Sequence, residues 1–252
     1  MQISSARPES VRHVAFETAG STNAEALARS RAGERGPLWI TAKTQTQGKG
    51  RSGRIWISPP GNLYATVLLT EPCAPAVAPQ LAFVAGLAVY DAVAECAPQL
   101  ALQLALKWPN DLLLGGKKLA GILIESETSP VLQLAIGIGM NCTSHPSGTL
   151  YPATDLAAEG AKVTPDVLFT ALSQAMQRRL AQWEKGANFA RIRGGWLARA
   201  AGLGQDIRVR LPEREFSGRF EGLDEAGRLL VQESGRITTV TAADVFGLEA
   251  HA

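Results

Sequence analysis

Residues 45–56, Gln-Thr-Gln-Gly-Lys-Gly-Arg-Ser-Gly-Arg-Ile-Trp, place three glycines (Gly48, Gly50, Gly53) among three cations (Lys49, Arg51, Arg54), with no carboxylate between them. Glycine adopts φ > 0 freely and admits close backbone approach. Successive N–H groups in such a loop can turn inward as an anion-binding nest with the cations closing over it. The same composition also describes a flexible, solvated loop. Spacing excludes two common phosphate motifs: there is no G-x-x-x-x-G-K-[ST], and the G-x-G lacks the continuation of a Rossmann turn.

Other polar groups gather at turns and strand ends: Lys107-Trp-Pro-Asn110-Asp111, Lys118 at the head of an apolar segment, and Asn141 after Gly137-Ile-Gly-Met. Ser21, Thr22 and Asn23 stand at a helix start, where Ser21 or Thr22 can cap the helix and the group can also hold a polar head group. Collected, the set is rich in cations and amides, with one carboxylate, no activated nucleophile and no histidine placed to move protons. It suits neutralisation of carboxylate or phosphoryl charge with reactants held in line, not covalent catalysis. Asp111 is the candidate for holding nucleotide-bound Mg²⁺, since one carboxylate plus substrate phosphates is a usual magnesium environment.

Elements must hold these groups in place. Strands are predicted at 11–16, 38–42, 63–69, 100–106, 112–114, 117–125 and 131–138, with a hairpin turning at Gly115-Gly116. Helices are predicted after Gly20, at 80–96, at 165–182 behind a Thr164-Pro165 start, and at 188–201. From residue 205 the texture changes to short alternating segments at 207–211, 216–222, 229–232 and 237–240, separated by Asp/Gly and Ser/Gly turns. These predict a small β-barrel. The expected division is 1–203 and 204–252.

The 252 residues are 46% hydrophobic and 19% charged, an ordinary globular composition. Net charge is only +2, so bulk nucleic-acid binding gains little support. Cys73, Cys96 and Cys142 form no C-x-x-C pair, so neither a zinc site nor a disulfide framework is expected. No signal peptide and no membrane-length apolar run is expected, giving a cytoplasmic setting. His13, His145 and His251 make no constellation, and His145 reads as exposed in its loop.

The chain resembles the biotin–protein ligases. The resemblance rests on Ser21-Thr-Asn23, Gln45 to Gly53, Lys107 to Asp111, Lys118 to Glu125 and Gly137 to Asn141, in the family's order, and on the small β-domain that follows. It implies an α+β fold, with a mixed, largely antiparallel sheet and helices like a class II aminoacyl-tRNA synthetase catalytic domain, then an SH3-like barrel. It implies a two-step reaction: biotin and MgATP give biotinyl-5′-AMP, and a lysine of a biotin carboxyl carrier protein takes the acyl group. By position, Ser21, Thr22, Asn23 and Gln45 would hold the biotin ureido and neighbouring groups. Lys49, Gly50 and Arg51 would close on the carboxylate and adenylate phosphate, and Lys118 would stabilise charge on the activated group. Lys107, Asn110 and Asp111 would lie at the ATP phosphates and magnesium, and Asn141 near adenine. Lys118 and Arg51 carry the catalytic expectation.

Two features depart from the family pattern. Lys49 stands where the loop usually has an arginine, replacing a bidentate contact with a point charge. About a dozen residues precede the first strand, too few for a winged helix, so a DNA-binding repressor role is not expected. A lipoate–protein ligase shares the adenylate logic. An RNA-binding module is the reading from another class, but Trp56 and Trp108 are the only aromatic residues near the cations. A homodimer could form through residues 131–136 if they were an edge strand.

Overall fold

The computed structural model describes residues 12–128, 130–149 and 151–247. Val11 and His251 lie outside them. Strand β1 (His13–Ala19) leads through helix α1 (Thr22–Arg31) to strand β2 (Leu38–Gln45), which pairs parallel to β1. This crossover brings the N-terminus of α1 to the end of both strands. The other pairs in this sheet are antiparallel: β3 (Leu63–Thr70), then, after helix α2 (Leu81–Cys96), β4 (Leu104–Lys107), β5 (Asp111–Leu114), β6 (Lys117–Glu127) and β7 (Gln133–Met140). The order is β1-β2-β3-β7-β6-β5-β4.

Alternation along the central strands assigns the two faces. Leu38, Ile40, Leu68 and Ala135 pack with Ala26 and Leu27 of α1. Their neighbours Trp39, Val67, Leu69, Leu134 and Ile136 join the larger core beneath α2, α3 (Pro165–Trp183) and α4 (Phe189–Leu197). Thr164 caps α3, its Oγ1 accepting from the N–H of Val167 at 3.4 Å, as its sequence predicts. Leu81, Val84, Leu87 and Val93 of α2 are wholly buried, each contributing about 1.5–3 kcal/mol relative to exposure.

The stretch Pro75–Cys96 is in fact long and apolar enough to cross a bilayer by length and composition, contrary to the expectation of no such run. Most of it is interior, because it is the central core helix.

The C-terminal strands β8 (Asp206–Arg210), β9 (Glu215–Leu223), β10 (Leu229–Glu233), β11 (Arg236–Val240) and β12 (Asp244–Gly247) form an SH3-like antiparallel sheet ordered β11-β10-β9-β8-β12. Its apolar side shares one continuous core with the first sheet. Trp108 Nε1 donates to the carbonyl of Gly227 at 3.1 Å, and a Cβ at Gly227 would fall 2.6 Å from the Phe83 ring.

Several expectations are corrected. Residues 131–138 are not an edge strand: β7 is hydrogen-bonded to β3 on one side and β6 on the other, so its backbone has nothing left for a dimer partner. The strand expected at 100–106 begins only at Leu104, because Pro98–Gln103 winds as a 3₁₀ segment that leaves Leu102 in solvent. The last helix stops at Leu197, since residues 199–201 bond to β4 instead: Leu106 N–H to the Arg199 carbonyl and Ala201 N–H to that of Leu106. Strand β12, only four residues long, carried no alternation to predict it.

Candidate active site

The N-terminus of α1, the end of β2, the glycine-rich loop, the β4–β5 turn and the starts of β6 and β12 converge on one cavity of about 360 Å³, within the range of small-molecule sites. Ser21, Thr22, Asn23, Gln45, Lys49, Gly50, Arg51, Lys107, Asn110, Asp111, Lys118 and Asn141 all line it.

At the α1 end the groups are buried and mutually bonded. Ser21 occupies the N-cap position without a side-chain cap, contrary to one sequence expectation. Gln45 Oε1 instead accepts the Thr22 N–H at 2.8 Å, while Gln45 Nε2 donates to Ser58 Oγ at 3.1 Å. Asn23 Nδ2 donates to Glu125 Oε2 at 2.8 Å.

The 45–56 segment is a folded hairpin rather than an open solvated loop. Trp56 N–H donates to the Gly48 carbonyl at 2.9 Å and Gly50 N–H to that of Arg54 at 2.7 Å. Ser52 and Gly53, at φ 55° and 73°, make its left-handed tip. Trp56 is thereby folded over the cavity against β7 and β6. A Cβ at Gly139 would lie 2.5 Å from its indole, and one at Gly137 would lie 2.3 Å from Asn23 Oδ1. These two glycines exist for close approach, as the paired glycines of the sequence imply. Gly139→Ala is expected to weaken ligand binding about tenfold to a hundredfold, from the 1–3 kcal/mol typical of overpacking. Calorimetric titration with biotin checks this; wild-type affinity would mean that Trp56 moves without consequence.

At the other end five cations meet two carboxylates, Asp111 and Asp244. Lys118 Nζ lies 2.8 Å from Asp111 Oδ1, but that oxygen lacks hydrogen-bond geometry to any described protein group, so the pair is a point-charge contact. Arg51 Nη1 donates to Asn110 Oδ1 at 3.3 Å and to the Ala243 carbonyl at 3.4 Å. Arg54 Nη2 donates to Asp244 Oδ1 at 2.8 Å, a bond that raises its pKa. Burial lowers the pKa of Arg51, with Asp244 and Asp111 only partly opposing it. Lys107, its Nζ 3.2 Å from the Tyr151 ring centroid, is pushed down to about 8, chiefly by burial. Partly desolvated cations that outnumber their counter-charges form a site that gains by taking up an anion.

The depressed Lys107 pKa fixes a sign. Between about pH 8 and the ordinary lysine value the unfolded chain holds more protons, so this residue makes stability rise with pH across that window. A polyphosphate drawn against Lys107 raises its pKa again, so ATP binding near pH 8 is expected to take up about half a proton. Calorimetry in buffers of different ionisation enthalpy measures that uptake, and it should vanish in Lys107→Met.

Some lining residues are supports. Asn141 Nδ2 is committed to the Thr154 carbonyl at 3.0 Å, and Asn110 Nδ2 to that of Ile122 at 2.6 Å. Arg54, Trp56, Tyr151 and Asp244 line the cavity but were absent from the residues expected to bind. Arg54 and Trp56 were visible within the motif; nothing in the sequence marks Tyr151 or Asp244. His145 stays outside the lining and is exposed in its loop, as expected, with Nδ1 2.6 Å from Asp155 Oδ2. Trp56 Nε1 and the Tyr151 hydroxyl are buried without a hydrogen-bond partner among the described residues, donors available to a ligand. Among the described residues no cluster of three His, Cys, Asp or Glu could hold a metal alone.

A family model described as "Biotin/lipoate A/B protein ligase family" matches residues 17–141, and one described as "Biotin protein ligase C terminal domain" matches residues 202–247. The biotin–[acetyl-CoA-carboxylase] ligase of Paracoccus denitrificans is 42% identical over 90% of this chain and 96% of its own length. The biotin protein ligase from Aquifex aeolicus in complex with biotin and ATP superposes with a TM-score of 0.78 at 25% identity, over 94% of this chain and 99% of that one. The Leishmania major enzyme in complex with biotinyl-5-AMP gives 0.68 at 29%, over 94% and 100%. With this identity spanning nearly both full lengths, and the fold and cavity as described, the chain belongs to the biotin protein ligase family.

Proposed function

We propose that the protein is an ATP-dependent biotin–protein ligase, with a biotin carboxyl carrier domain of acetyl-CoA carboxylase or a similar carrier as its acceptor. The observation that carries the reading is the two-ended cavity: a buried amide and hydroxyl cluster at α1, then Trp56 over a glycine floor, then a cation-rich end. In the first step the biotin carboxylate oxygen attacks the α-phosphorus of ATP, forming the acyl phosphate bond as pyrophosphate leaves. In the second a neutral carrier lysine amine attacks the acyl carbon, the amide forms, AMP departs with the bonding electrons and the surplus proton on nitrogen is released.

The chain's part in both steps is charge neutralisation and positioning. Thr22, Gln45 and their neighbours hold the ring system, and Lys118 and Arg51 face the carboxylate and α-phosphoryl group. Lys107 and Arg54 meet the remaining phosphates. Asp111, whose Oδ1 meets the Lys118 ammonium at 2.8 Å without hydrogen-bond geometry, is the carboxylate that would hold a Mg²⁺ ion carried in by the nucleotide and otherwise bound by phosphates; bound there, the ion would supply further neutralisation of phosphate charge. A catalytic unit of 1–203 and a barrel of 204–252 is the division we adopt, and three free cysteines suit a cytoplasmic enzyme.

The test is to incubate the purified chain with biotin, MgATP and a biotinyl carrier domain, then weigh the carrier. A single biotinyl addition that requires ATP, and that lipoate does not replace, is expected. A carrier of unchanged mass overturns the assignment.

A further inference from the structure

Thr66 stands on β3 below the cavity floor, wholly buried and outside the lining. Its Oγ1 is 2.8 Å from Thr22 Oγ1 and 2.7 Å from Asn23 Oδ1. The orientation of the Asn23 amide is determined by its other contacts: Nδ2 meets Glu125 Oε2 at 2.8 Å and the Leu123 carbonyl at 3.2 Å, both acceptors, which leaves Oδ1 towards Thr66. Oδ1 can only accept, and a hydroxyl has one proton, so Thr66 gives its proton to Asn23. The short contact between the two threonine oxygens then needs the proton of Thr22. Gln45 Oε1, 3.1 Å from Thr22 Oγ1, could accept that proton as well as the Thr22 N–H at 2.8 Å, but the shorter 2.8 Å contact between the threonine oxygens would then hold no proton at all. With Thr66 donating to Thr22 instead, Asn23 Oδ1 would sit buried without a donor among the described residues, the costlier arrangement.

We propose that Thr66 is a positioning residue for the head-group end of the site: it draws the Thr22 proton downwards and holds the Asn23 amide, so Thr22 faces the cavity as a hydrogen-bond acceptor. The site then selects a ligand head that brings an N–H donor, as the ureido group of biotin does. This rests on the ligase reading. It identifies a residue that touches no ligand and yet sets the polarity of the groups that do.

Two substitutions separate this role from packing. Thr66→Val keeps the branched shape and removes the hydroxyl; Thr66→Ser keeps the hydroxyl and opens a methyl-sized gap. Calorimetry and steady-state kinetics with biotin, ATP and a carrier domain are run on both, alongside melting curves. Thr66→Val is expected to raise the biotin Kd and KM about tenfold, one hydrogen-bond's worth, while kcat and the KM for ATP stay unchanged. Thr66→Ser is expected to bind biotin like wild type. A packing role gives the reverse order, because the smaller serine leaves a void that valine fills. Val equal to wild type, or Ser weaker than Val, overturns the positioning role alone. Wild-type protein that leaves biotin unbound overturns the ligase reading, and the positioning role with it.

Discussion

Lys118→Ala is expected to slow single-turnover pyrophosphate release by about 10²–10³-fold, the usual cost of removing one preorganised charge from a transition state, with circular dichroism unchanged. Lys118 is the second residue of β6, where both of its backbone groups are tied to the segment 152–154: its N–H donates to the Pro152 carbonyl at 2.7 Å, and its carbonyl accepts the Thr154 N–H at 3.0 Å. The side chain is therefore aimed by a fixed strand into the cavity, 5.4 Å from the Trp56 ring centroid and 2.8 Å from Asp111. Truncation also leaves the largely buried Asp111 carboxylate without its cation, so part of any loss could come from a misplaced negative charge. Lys118→Ala combined with Asp111→Asn separates the two effects. Because Asp111 is also the proposed magnesium ligand, the pair is read against Asp111→Asn alone: a further loss on adding Lys118→Ala shows that the ammonium itself is what the reaction needs. Lys118→Arg, which restores charge from the same strand position with different geometry, is expected to retain more activity than alanine. Pyrophosphate release at the wild-type rate from Lys118→Ala would remove Lys118 from the chemistry.

How much of this was legible beforehand follows from where each residue's constraint lies. The glycines and cations of 48–54 sit in one short segment, and Lys107, Asn110 and Asp111 in another, so composition and order suffice to single them out. That these segments, with Ser21 to Asn23 and Asn141, line one cavity depends on the β1-α1-β2 crossover and the β7 register, which local patterns only suggest. The misplacement of β7 has the same root. A strand buried on both faces reads as a plain apolar run, and such a run does not name its neighbours. Tyr151 and Asp244 were invisible for another reason. Each is an ordinary residue until the fold brings Lys107 to one and Arg54 to the other. The missing Ser21 cap shows local chemistry overridden from a distance, because Gln45, at the far end of β2, already serves the helix N-terminus.

Arg51→Gly is expected to release the adenylate about a hundredfold faster while still forming it, and so to biotinylate bystander lysines. Arg51 is the bridge between three elements: its guanidinium reaches Asn110 in the β4–β5 turn and the Ala243 carbonyl just before β12, while its own carbonyl accepts from Arg54 Nε at 3.2 Å. Arg54 in turn holds Asp244. Glycine at 51 removes the first two contacts and adds a third freely rotating residue between Gly50 and Gly53, so the hairpin loses both its anchors and its stiffness. Losing hydrogen bonds to a charged group, at about 1.5–3 kcal/mol each, is of the size a hundredfold change in release requires. The anhydride then meets water and free amines before a carrier arrives. A trap assay with a bystander protein, compared with wild type at equal adenylate turnover, reads the effect; labelling no greater than wild type means closure does not depend on Arg51. Adding Lys118→Ala to Arg51→Gly should cut the rate of labelling by the same factor of about 10²–10³, because a loop that cannot retain the adenylate leaks only what is made. Undiminished labelling in that double variant would place the activated acyl group somewhere other than this cavity.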